Sequence, residues 1–185
     1  MDKLWPTALI LVVVVLVFIG MWIGWRRRAR RDAGLVVPSA LASPGAAILS
    51  AEALHVGSTH HDRPLDRVAV PGLAFRARAR VDVSEGGVTI TSPGESTVAI
   101  AAPALLGVGT ATWTIDRSVE QDGLVLVAWR TGTADASGDV IDTYLRVADA
   151  EDQSRLLASI GSLIAENSTS GADDVAHDTN TGSEA

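Results

Sequence analysis

The sequence contains no cysteine, which removes structural disulfides, thiolate-bound zinc and a cysteine nucleophile together. Lysine is nearly absent as well. Of the 15 basic residues only Lys3 is lysine, a bias that points to GC-rich codon usage rather than to protein physics. No GxSxG serine motif, Walker loop or GxGxxG turn occurs in the chain, so the motifs that would mark a catalytic serine or a nucleotide site are missing. Metal chemistry has one foothold, His60-His61-Asp62. Adjacent histidines on an extended chain point to opposite sides and no third ligand stands at metal spacing nearby, so the cluster reads as a solvated loop. The expectation is a non-enzymatic protein with no catalytic residue, no cofactor and no bound metal.

Charge is missing from one long stretch. Leu4 to Trp25 carries no charged residue over 22 positions, although the whole chain has 22 acidic and 15 basic residues and a formal net charge of -7. As a helix rising about 1.5 Å per residue it would extend about 33 Å, enough for a hydrocarbon core about 30 Å thick. Trp5 at one end, and Trp22 with Trp25 at the other, fit the two interfacial aromatic belts. Five guanidiniums follow at once, Arg26, Arg27, Arg28, Arg30 and Arg31, against Lys3 and Asp2 before the span. By the positive-inside rule residues 1–3 are expected outside, 4–25 as a single transmembrane helix of the inner (cell) membrane, and everything from Arg26 onward in the cytoplasm. A cleaved signal peptide is the competing reading, because Ala40-Leu41-Ala42 has the small-x-small form. The length of the apolar run, the charge behind it and the distance of that site oppose it. Gly20 and Gly24 form a GxxxG pair, a pattern through which two such helices pack as a homodimer.

After the span, residues 26–45 begin basic and turn rich in Ala, Gly, Ser and Pro, which reads as a flexible linker. Residues 167–185 carry Asp173, Asp174, Asp178 and Glu184 and no Lys or Arg; such a stretch buries too little apolar surface to order itself and reads as a disordered acidic tail. Residues 46–166 remain as the globular domain, and their pattern is mainly β. Phe75, Ala77, Ala79, Val81 and Val83 alternate with Arg76, Arg78, Arg80 and Asp82, the period of a strand with one wet face. Ser84-Glu85-Gly86-Gly87 supplies a turn, after which Val83 is expected to face Val88, Val81 to face Ile90 and Arg80 to face Thr91. Further strands are expected at 97–100 and 140–147, with a helical turn at 102–106. A hairpin of 113–119 with 124–129 is expected around Gln121-Asp122-Gly123. Leu156, Leu157, Ile160, Leu163 and Ile164 then follow helical spacing, with Asp149 as N-cap. About seven antiparallel strands with one C-terminal helix closing a strongly bent sheet is the fold this pattern describes.

The stretch HVGSTHHDRPLDRVAVPGLAFRARARVDVSEGGVTI, residues 55–90, together with DGLVLVAWR, residues 122–130, resembles small actinobacterial membrane proteins that carry one N-terminal span and a bacterial PH-like domain. The most specific part is Leu65-Asp66-Arg67 with Gly72-Leu73; the tryptophan that often precedes that Leu-Asp-Arg in the family is replaced here by Pro64. The resemblance implies a PH-like barrel and brings no catalytic residues with it.

Arg76, Arg78 and Arg80 fall on one strand face about 7 Å apart, a ladder able to meet phosphates or a partner's carboxylates. The plainer reading is a solvated face paired with Thr89, Thr91 and nearby acids. Residues 46–166 hold nine Arg and sixteen Asp or Glu, net -7, which opposes nucleic-acid binding and phosphoinositide-style head-group capture. The leading expectation is therefore a barrel displayed at the bilayer for an unidentified protein partner. The alternative is a lipid or small-anion binding module using Arg76, Arg78 and Arg80.

Overall fold

The computed structural model describes residues 4–178 except 112, 115–116, 119–122 and 133–137. The chain divides into two compact units, 1–34 and 35–185.

The first unit is one helix, α1, Leu4–Asp32. Its side chains from Leu9 to Ile19 are exposed throughout, as expected of a surface with no aqueous core to bury against. Among the described residues it is long and apolar enough to cross a membrane. Near its charged end the Arg26 guanidinium lies 5.2 Å from the centre of the Trp22 ring, a cation–π contact where apolar and basic segments meet. The helix runs past the expected end of the span at Trp25, because the arginines that follow are good helix formers.

The second unit is built on a bent antiparallel sheet. Its strands are β1 Ala47–His60, β2 Arg63–Arg67, β3 Ala77–Ser84, β4 Gly87–Thr91, β5 Val98–Ala101, β6 Leu105–Ala111, β9 Leu124–Arg130 and β10 Val140–Val147; β7 Trp113–Thr114 and β8 Arg117–Ser118 form a separate small hairpin. The main sheet runs β5-β4-β3-β1-β10-β9-β6, with β2 paired to β1. Helix α2, Ala150–Asp178, follows. The expected fold class is what the chain adopts: an antiparallel sheet of eight strands, seven on one path and β2 beside β1, with a C-terminal helix packed on it.

The β3–β4 hairpin has the register that alternation demands, with Val83 opposite Val88, Val81 opposite Ile90 and Arg80 opposite Thr91. The expected hairpin of 113–119 with 124–129 is corrected. β9 pairs instead with β6, placing Val108 opposite Val127 and Thr110 opposite Val125. Gln121 and Asp122 lie outside the described residues. Two glycines, Gly107 and Gly109, hide β6 from a propensity argument, since glycine weakens strands. The helical turn expected over 102–106 is a 3-10 turn confined to Ala102–Ala104.

Asp149 caps α2 as its sequence position predicts: its Oδ1 accepts the N–H groups of Glu151 and Asp152, each at 2.9 Å. Leu156, Ile160 and Leu163 are buried in the core. The helix then continues to Asp178, into the stretch expected to be disordered from Asn167. Ser168 and Thr169 donate their hydroxyls to the carbonyls of Ile164 and Ala165 at 2.8 and 2.9 Å. A helix satisfies its backbone internally, and no proline interrupts it here.

The expected linker over 26–45 is also divided. Its first part belongs to α1, and from Leu35 onward the chain is a strap laid on the barrel. Leu35 and Val37 pack against the core. The Pro38 carbonyl accepts the Ala99 N–H at 2.7 Å, and the Val36 carbonyl accepts the Gly132 N–H at 2.9 Å. The Pro44 carbonyl accepts the Gly86 N–H at 2.8 Å. A Cβ built on Gly86 would lie 1.8 Å from the Ser43 carbonyl oxygen, so only glycine admits the strap there. Gly86→Ala is expected to lower stability by about 1–3 kcal/mol. Gly109→Ala, with open space around it, should stay within about 0.5 kcal/mol. Urea unfolding midpoints compare the two.

Candidate functional site

β1 carries small or polar residues where a central strand usually carries large apolar ones, and its pairing decides where functional side chains fall. Leu54 stands opposite Arg78 of β3 on one side and opposite Arg146 of β10 on the other. Since directly paired residues share a face, the three form one rung, Arg78–Leu54–Arg146, on the outer surface. The neighbouring rung pairs Glu52 with Arg80, and Arg80 Nη2 sits 3.2 Å from Glu52 Oε1. Both of those side chains are well exposed, so that ion pair contributes about 1 kcal/mol or less.

The expected ladder is thus rearranged. Arg78 and Arg80 lie on β3 with exposed side chains, while Arg76 lies just before the strand begins. Arg80 is matched by Glu52, and Arg78 acquires Arg146 as its companion across Leu54. Alternation along 140–147 signals that Arg146 points outward, but only the long-range register of β1 with β10 brings it beside Arg78. The rung borders an open groove of about 740 Å³ that includes Glu52, Ala53, Ala148, Ala150 and Gln153.

Behind the sheet runs a buried polar chain. His55 Nδ1 lies 3.0 Å from the Phe75 carbonyl oxygen, and His55 Nε2 lies 3.1 Å from Ser58 Oγ. Ser58 Oγ is 3.0 Å from Thr143 Oγ1, which accepts the Trp129 indole N–H at 2.9 Å. The direction of every bond follows from its ends. A carbonyl only accepts, so Nδ1 carries the proton; in a neutral ring Nε2 then accepts from Ser58. Ser58 in turn accepts from Thr143, and Thr143 from the indole. A histidine nitrogen at this distance from a serine hydroxyl is also the geometry of an activated nucleophile. Here His55 and Ser58 are both 0% exposed, so no substrate reaches them and the chain holds the core together.

His60 ends β1, and His61 and Asp62 make the turn into β2, with Asp62 at φ +61. His61 Nδ1 sits 2.9 Å from Asp142 Oδ1, a pairing that pins the turn to β10. No group of three metal-ligating side chains occurs among the described residues. The Leu65-Asp66-Arg67 stretch has a structural role. Arg67 Nη2 donates to the Val56 carbonyl at 2.9 Å, beside the irregularity between His55 and Gly57. Leu73 is 0% exposed in the core, and Gly72 has φ +83 with the Ser96 carbonyl 2.3 Å from where a Cβ would stand. Gly20 and Gly24 lie one turn apart on α1 with open space around both. Arg26, Arg27, Arg30 and Arg31 sit on the last turns of the same helix, and Arg28 belongs to it by backbone.

A family model described as "Bacterial PH domain-like" matches residues 35–161, beginning where the strap begins. No curated protein matches the chain. A chain in the solved structure titled "The 8S snRNP Assembly Intermediate" is similar over 66% of this chain and 87% of its own, at 11% identity and a TM-score of 0.44. A likeness of that size carries no argument.

Burial holds the His55 pKa below the ordinary value of 6.5; the bond to Phe75 opposes this and the Arg67 charge adds to it. Folded His55 therefore binds fewer protons than unfolded His55. Its contribution is complete above the unfolded pKa and is lost as pH falls below about 6.5 toward the folded value. His61 runs the other way, raised mainly by its bond to Asp142, so its contribution is present below the unfolded pKa and fades as pH rises through the folded one. The two act in opposite senses across pH 5 to 7.5: relative to the native chain, His61→Gln should make urea midpoints drop more, or rise less, toward acid, and His55→Gln should shift the slope the other way.

Proposed function

We propose that this chain, which belongs to the bacterial PH domain-like family, is a non-enzymatic, membrane-anchored interaction module whose barrel is presented to protein partners at the cytoplasmic face of the cell membrane. The observation that carries the reading is the N-terminal helix: it is apolar and long enough to span, and five arginines close its C-terminal end. The positive-inside rule supports a cytoplasmic barrel, and attraction of the arginines to anionic lipid, about 1 kcal/mol each, would hold the basic end of the helix at the surface.

The fully buried histidine and serine support a non-catalytic role, since this pair lacks access. The net charge of -7 over 46–166 favours protein over lipid or nucleic acid as the partner of the barrel. A lipid or small-anion module using Arg76, Arg78 and Arg80 is weakened by the commitment of Arg80 to Glu52.

Replacing Arg26, Arg27, Arg28, Arg30 and Arg31 by Glu is expected to invert the topology or mix it, read by protease protection of a C-terminal reporter in intact cells. Protection of the native barrel supports the cytoplasmic placement; digestion of the native barrel by added protease would sink it. Crosslinking in native membranes should then capture a reproducible protein partner for the native barrel.

A further inference from the structure

Two guanidiniums on the outer face lack the compensation their neighbours have. Glu52 is committed to Arg80, Asp152 to Arg155, and Asp149 to the first N–H groups of α2. The guanidiniums of Arg78 and Arg146 make no hydrogen bond or ion pair among the described residues. Between them stands Leu54, and Ala148 and Ala150 continue the apolar lining of the groove. Although residues 46–166 are net -7 and Glu52 lines the groove, Arg80 offsets Glu52, so the local surface at Arg78 and Arg146 suits a segment that brings carboxylates on either side of an apolar side chain.

We propose that the occupant is the acidic C-terminal stretch, residues 167–185, of a second copy of this chain. The inference rests on the reading of the barrel as a protein-interaction module and names the partner. That stretch has Asp173, Asp174, Asp178 and Glu184, no Lys or Arg, and Val175 among the acids. Strands lie about 4.8 Å apart, which sets Arg78 and Arg146 about 10 Å apart at Cα. Asp174 and Asp178 lie about 6 Å apart along a helix, or about 13 Å in an extended chain. Arginine side chains span either difference.

The chain's own tail is out of reach. The groove lies at the first turn of α2, and Asp173, Asp174 and Asp178 lie in the last two turns of this 29-residue helix, about 35 to 42 Å away. The seven residues after Asp178 extend about 25 Å at most. The contact is therefore between molecules. Groove and tail are different surfaces, so the contact is heterologous and leaves each copy one free groove or tail. Anchorage in one bilayer raises the effective concentration, and copies string head to tail along the membrane.

The test uses full-length protein in zwitterionic nanodiscs, one copy per disc, titrated with a fluorescein-labelled peptide of residues 167–185 and read by anisotropy. Saturable binding is expected at about 25 mM salt and weakening at about 300 mM. R78Q/R146Q should lose about fivefold or more in affinity while R80Q stays within about twofold. R78K/R146K, which keeps the charge, should retain binding, and matching circular dichroism spectra show that the variants fold. Unchanged binding by R78Q/R146Q, or by a peptide carrying D173N, D174N and D178N, overturns the proposal. Should this peptide fail while an alternating Glu-Leu peptide binds through Arg78 and Arg146, the partner is another protein and only the present inference falls. Capture of phosphatidylglycerol vesicles in place of either peptide removes the interaction-module reading as well.

Discussion

The double pairing of three residues in β1 is the constraint on which the domain turns. Ala53, Leu54 and His55 have β3 on one side and β10 on the other. Before them β1 pairs with β3; beyond them, past an irregularity between His55 and Gly57, it pairs with β10. One strand thus belongs to both halves of the sheet, and a bulge gives it the local twist to do so. The inward residues at the crossing are the small Ala51 and Ala53 and the hydrogen-bonded His55, all buried. Bulky β-branched residues there would crowd the place where two sheet halves fold toward each other. The outward residue at the crossing is Leu54, which is why two arginines distant in sequence meet across it.

This crossing also explains which parts of the fold were legible. The β3–β4 hairpin and the apolar face of α2 announce themselves, because alternation over 77–83 and the spacing of Leu156, Ile160 and Leu163 are local patterns. β1 announces little: Ala, Ser, Glu, His and Gly dominate it, and its identity as the central strand comes from tertiary context that overrides propensity. β6 is hidden by its glycines for a related reason. The strap over 35–45 looked like a linker because its composition suits one, yet Leu35 and Val37 alternate inward and its carbonyls complete hydrogen bonds on the barrel. Composition reports what a segment can bury, not which orphan donors wait for it.

The arginine face was legible as a face and not as a site. Sequence spacing put Arg76, Arg78 and Arg80 in a row, but chemistry depends on partners across strands. Glu52 neutralises one member, and Arg146, read only as part of an alternating last strand, joins another. The buried His55–Ser58–Thr143–Trp129 chain was not legible at all. It joins residues up to 88 positions apart in sequence, from His55 to Thr143, and each looks unremarkable among its local neighbours. A core with this much polarity costs little only because each donor finds an acceptor.

Pro38 gives the strap a role beyond packing. β5 ends the sheet, and a bare terminal strand is a template on which a neighbouring molecule can add its own. The Pro38 carbonyl occupies the Ala99 N–H, and proline has no N–H to offer the next strand in line. At this border the strap takes the place of a further strand and blocks edge-to-edge addition at Ala99.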